Sequence, residues 1–97
     1  MQVNEVGINV SADLLRRLRK IEGQARGIQR MIEEDRSCKD ILYQLAAMRA
    51  AVNRAGLKMI GAMMADCLRE SLQAEGADCS DSLETAVATF LKFSDQF

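Results

Sequence analysis

The chain contains no proline, no histidine and no tryptophan, and aromatic residues make up 4% of its 97 positions. Without histidine, without a recognisable nucleophile–base pair and without a paired-carboxylate pocket, the spacings assemble no catalytic constellation, so an enzyme is not expected. No apolar run reaches the length of about eighteen residues that a spanning helix needs. The opening MQVNEVGINV lacks a charged start and an apolar signal core. A cytoplasmic protein with no membrane partner is therefore expected. Cysteine is scarce too: Cys38, Cys67 and Cys79 are too few and too unevenly spaced for a secreted disulfide framework, so each is expected to start as a thiol. Gly-rich phosphate loops, repeats and low-complexity tracts are also missing.

What remains is helical. Hydrophobic residues make up 48%, much of it Ala, Leu, Met and Ile, which favour helix over strand. The net charge of −1 conceals an asymmetry. Between positions 16 and 30 the chain carries Arg16, Arg17, Arg19, Lys20, Arg26 and Arg30 against Glu22 alone. From position 66 onward Asp66, Glu70, Glu75, Asp78, Asp81, Glu84 and Asp95 face only Arg69 and Lys92. A polyanion footprint can thus exist on one surface, although a merely solvated charged face has the same composition.

Periodicity predicts an all-α chain of three helices: a loose arm over 1–10, then one helical domain over 11–97. Ser11 offers an N-cap, Asp13 stands in the first turn, and apolar residues at 14, 18, 21, 25, 28 and 32 predict helix 1 over about 12–34. Gly23 and Gly27, one turn apart, read as a place of close helix approach or as a solvated weak spot. Ser37 and Asp40 make a capping-box-like start for helix 2, predicted over about 38–73. Cys38, Ile41, Leu45, Met48, Val52, Ala55, Met59 and Ala62 step by three and four along it, and a second stripe holds Leu42, Ala46, Gly56, Ile60, Met63 and Cys67. The segment AEGADCSD reads as a loop. Helix 3 is predicted over about 81–93, capped by Ser80 or Asp81, with Leu83, Val87, Phe90 and Leu91 as its apolar face.

At about 1.5 Å per residue helix 2 is about 54 Å long, far beyond the radius of gyration of about 13 Å expected of a compact domain this size. A rod with two apolar stripes needs partners along its length. An antiparallel four-helix-bundle dimer satisfies this most simply. Cys38 and Cys67 lie 29 residues apart, which at about 100° per residue leaves them about 20° out of register on one face, with Met63 on the same stripe. The two thiols are nevertheless about 43 Å apart along the rod. In an antiparallel dimer, Cys38 of one subunit meets Met63 and Cys67 of the other, and symmetry makes two such sites. Plain core packing is the alternative use of all three sulfur side chains. Cys79, outside the stripe, reads as incidental.

The run LRRLRKIEGQARGIQRMIEEDRSCKDILYQLAAMRAAVNRAGLKMI, followed by DC, resembles the copper-sensing-repressor-like (CsoR-like) transcriptional regulators, from Leu14 to about Glu70. The resemblance implies an all-α dimer of dimers that binds operator DNA and releases it when an inducer reacts at cysteines between subunits. It also implies that Cys38 and Cys67 are the inducer-sensing pair, and that Arg17 and Arg54 contact DNA, with Arg16 and Lys20 beside them on the basic helix. Met63 stands where the copper class has a histidine, and the absence of imidazole argues against nickel and cobalt members. The persulfide-sensing type, which keeps two cysteines without histidine, is the leading expectation, with no cofactor required. Cys38 then attacks as the thiolate, in a first turn flanked by Arg36 and Lys39, and Cys67 resolves the persulfide. Cu(I), soft enough for two thiolates and the Met63 thioether, is the alternative inducer. A helical interaction module that binds no DNA is a second alternative. No helix-turn-helix is recognisable, so DNA contact is expected from a flat helical face and mostly through phosphates.

Overall fold

A computed structural model of the chain describes residues 2–3, 10–73 and 80–94. Three α-helices follow in order, α1 (Val10–Glu33), α2 (Cys38–Gln73) and α3 (Ser80–Ser94), with no strand among the described residues. The expected arm over 1–10 falls, apart from Gln2, Val3 and Val10, outside them, as do most of the loop before α3 and Cys79.

Helix α1 begins two residues before the expected start, so Ser11 is a helical residue rather than the cap. Val10 stands one turn before Leu14 and extends the same apolar stripe. The C-terminus is closed by a Schellman motif. Asp35 adopts the left-handed conformation at φ 56°. Its N–H donates to the Ile32 carbonyl at 3.1 Å, and the Arg36 N–H donates to the Met31 carbonyl at 2.9 Å. The chain therefore reverses within four residues and α2 starts at once. Ser37 is its cap: its Oγ accepts from the Asp40 N–H at 3.1 Å, and its carbonyl accepts the first helical bond from Ile41.

Helix α2 runs unbroken for 36 residues over the expected span. Within the stretch read as one domain, the residues divide into two compact units. Ala12–Ala55 holds most of α1 and the first half of α2, and Gly56–Phe97 with Met1–Ser11 holds the second half of α2 and α3. Ile28, Ala55 and Cys67 are the buried apolar residues described. Much of the α2 apolar surface lies open: Leu42 is 64% exposed, Leu68 63% and Leu72 79%. A helix that is apolar on two sides cannot cover both with a single neighbour, and apolar surface is left open along it.

In the second unit the Phe90 ring rests on Gly56, in the space a β-carbon there would need. Leu83 and Val87 are half-buried with Phe90, whereas Leu91, expected on the same face, is 44% exposed. No helix among the described residues is long and apolar enough to cross a membrane.

Candidate nucleic-acid interface and thiol site

Arg17, Lys20 and Gln24 recur along one side of α1 at steps of three and four, with Arg16 next to Arg17, and Ala51 and Arg54 stand one turn apart on α2. Together with Ile21 they line one groove of about 510 Å³. Ala51 keeps the α2 wall low, so the cations of both helices edge the same space. All four basic residues singled out from the sequence are therefore brought together. Asp13, in the first turn of α1, accepts from Arg16 Nη2 at 2.7 Å through Oδ1 and from Arg17 Nε at 2.8 Å through Oδ2. These two guanidiniums, Arg17 foremost, hold the Asp13 carboxyl below its ordinary value of 3.8. The Arg17 side chain is only 24% exposed, against 55% for Arg16.

Sequence reasoning missed Gln24, whose Oε1 is buried in the same groove with no hydrogen-bond partner. Its signal was position: it stands one turn beyond Lys20 on the basic face.

The sulfur residues are distributed differently. Cys38 is a free, exposed thiol and the first residue of α2. Lys39, expected to assist it, instead places Nζ 5.9 Å from the centre of the Tyr43 ring. Met63, half-buried, and Cys67, buried, follow 25 and 29 residues further along the same helix. Cys67 borders an apolar cleft of about 380 Å³ with Met64, Ala65, Leu68, Ser71 and Leu83. One expectation is corrected here. Cys67 is disulfide-bonded rather than a thiol, and not to Cys38, which is free. Residue counts and spacings describe faces of a helix; they do not reveal which sulfurs the tertiary fold brings within bonding reach.

Among the described residues the chain is all-α, gathers four cations in one groove and carries sulfur side chains along its longest helix. Residues 11–92 match the family described as metal-sensitive transcriptional repressor, and the chain belongs to that family. It is 35% identical over 77 residues to the copper-sensing transcriptional repressor RicR of Mycobacterium tuberculosis, covering 79% of this chain and 80% of that one. It is 36% identical over 78 residues to the copper-sensing transcriptional repressor CsoR of Bacillus subtilis, covering 80% and 75% respectively. The uncharacterised protein YrkD of Bacillus subtilis is 34% identical over 62 residues, 64% of this chain and 97% of that one.

Proposed function

We propose that the protein is an operator-binding repressor that lets go of DNA when Cu(I) is held between subunits by Cys38 of one and by Met63 and Cys67 of its antiparallel partner. The observation that carries the repressor reading is the groove in which Arg16, Arg17, Lys20 and Arg54 converge. Cations on both helices of a hairpin suit a polyphosphate backbone rather than a single acidic side chain. Each phosphate neutralised adds about 0.9 to the slope of log affinity against log salt, so binding weakens steeply as salt rises.

The inducer follows from the donors. Two thiolates and a thioether are soft ligands, and among common biological metals they favour Cu(I). The relatives named as copper-sensing support the same choice and move the sulfur-species inducer, the leading expectation from the sequence, to second place. The donor set fits the ion once Cys67 is reduced; while it is held in a disulfide, it has no thiolate to offer. The open apolar face of α2 suits a second copy running the other way, which sets Cys38 of one chain beside Cys67 of the other. A dimer of two such dimers is the assembly this reading carries.

The second reading, induction by polysulfide, is favoured by Met63 in place of histidine. Here the Cys38 thiolate attacks a sulfane sulfur, forming Cys38–S–SH and expelling the shortened polysulfide. Cys67 of the partner subunit, as a thiolate, then displaces hydrosulfide to leave a disulfide between subunits. Anaerobic titration of the reduced, DNA-bound protein decides between them. Stoichiometric release by Cu(I), reversed by a copper chelator, supports the first reading. Release by polysulfide alone, reversed by thiol reductant, supports the second. A protein that retards no DNA in a mobility-shift assay is neither, and falls to the interaction-module alternative.

A further inference from the structure

We propose that Asp13 is a positioning residue of the basic groove: its carboxylate tethers Arg16 and Arg17 so that each guanidinium keeps an unbonded edge for a DNA phosphate. The inference rests on the DNA reading of that groove.

A guanidinium is a planar fork whose paired N–H groups match a phosphate bidentately. Which edge is occupied therefore matters. Arg17 spends Nε on Asp13 Oδ2, and the Nη1–Nη2 edge takes no part in that bond. Arg16 spends a single Nη2 on Oδ1. One carboxylate thus fixes two arginines while leaving donors on both. The tether is itself well supported, because Asp13 lies in the first turn of α1, where the helix dipole favours a negative charge. The other ion pairs described, Arg26 with Glu22 and Arg69 with Asp66, bind one arginine each, and neither borders the groove. With Asp13 in place, the groove still keeps a cationic excess from Arg16, Arg17, Lys20 and Arg54.

Two physical effects oppose each other, and their signs differ. A carboxylate within a Debye length of phosphates repels them, so its removal alone tightens DNA binding. An arginine left untethered must be ordered at the moment of binding, so removal of the tether weakens it. The Asp13→Asn substitution removes one negative charge from the protein and breaks the shared tether, which sets the two effects against one another. The tether dominates because two long side chains depend on it and one of them, Arg17, is largely held against the protein.

The test uses the reduced full-length protein and a duplex that the wild type selects from a random-sequence library, with affinity read by fluorescence anisotropy across a salt titration. Asp13→Asn is expected to bind about three- to tenfold more weakly than wild type despite the loss of a negative charge from the groove. Its salt slope is expected to fall by about 0.9 for each phosphate that is no longer neutralised. In an Arg17→Lys background, where one of the two tethered forks is gone, the same substitution is expected to have a smaller effect. Asp13→Glu, which keeps a carboxylate at slightly longer reach, is expected to bind close to wild type and covers the case in which the Asn variant folds poorly by circular dichroism. Binding by Asp13→Asn as tight as wild type or tighter overturns the proposal, as does weak binding by a folded Asp13→Glu. A wild type that selects no duplex overturns the DNA reading instead, so the two failures are distinct.

Discussion

The Phe90 ring lies on the bare backbone of Gly56, where any β-carbon would overlap it. Gly56 stands inside a long helix at a cost of about 1 kcal/mol relative to alanine, and the close seat for α3 is what that cost secures. Gly61, further along the same helix, has open space where its β-carbon would point. The Gly61→Ala variant is expected to gain about 1 kcal/mol from helix propensity alone. Gly56→Ala is expected to lose about 1–3 kcal/mol relative to Gly61→Ala, because the ring must be displaced or strained. Urea denaturation of the two variants side by side measures the difference, and equal stabilities would mean that the ring does not hold α3 to this seat.

How much of this was legible beforehand differs from residue to residue. The span of α2 could be read because an unbroken three-and-four rhythm and a Ser37 cap agree, and two independent local signals seldom mislead together. The start of α1 could not, because Ser11 satisfies the cap rule while Val10 continues the apolar stripe, and a cap preference is worth only about 1 kcal/mol. The convergence of Arg17 and Arg54 came from family resemblance; periodicity alone places each on a face of its own helix and is silent about how two helices are rotated against each other. Gln24 reads as one more solvated polar residue until the groove is seen. The seat of Phe90 and the oxidation of Cys67 are tertiary facts, set by which surfaces meet, and spacing within one helix carries no information about either.

Asp35 holds a left-handed conformation in the turn that delivers Cys38 to the start of α2. Aspartate tolerates that region better than most residues, and a β-branched side chain tolerates it worst. Asp35→Val is expected to destabilise the protein by about 1–2 kcal/mol, whereas Asp35→Gly is expected to be neutral or slightly stabilising, since glycine is the usual residue at this position. Thermal melts of the three proteins check the order. A valine variant as stable as the wild type would refute the left-handed turn.

The pairing of Asp13 also predicts a pH dependence. Its carboxyl ionises more readily in the folded chain than at its ordinary value of 3.8, because Arg17 and Arg16 donate to it. A depressed carboxylate binds fewer protons in the native state than in the unfolded one, so its contribution is complete above 3.8 and disappears as the pH falls through the lower native value. The stability difference between wild type and Asp13→Asn is therefore expected to stay flat from about pH 7 to about pH 5 and to shrink below 3.8. Paired urea titrations across this range measure it. A difference that instead grew on acidification would show that the carboxylate is not stabilised by the two arginines.

The thiol site proposed between subunits makes the most demanding prediction. Cys38→Ala and Cys67→Ala each remove one donor from every site, so either variant alone is expected to bind DNA and to ignore Cu(I). Mixed within one antiparallel dimer, they behave differently. The Cys38 of one subunit then faces the Cys67 of the other at one end, while both positions are alanine at the opposite end. Co-refolding equal amounts of the two reduced variants yields about half heterodimers by random pairing, each with one complete site from two defective chains. About one quarter of the wild-type Cu(I) capacity is therefore expected to return, measured by anaerobic titration against a competing chelator. A site built within one chain cannot be rebuilt by mixing, so a mixture that binds no more Cu(I) than its separate components would refute the shared site.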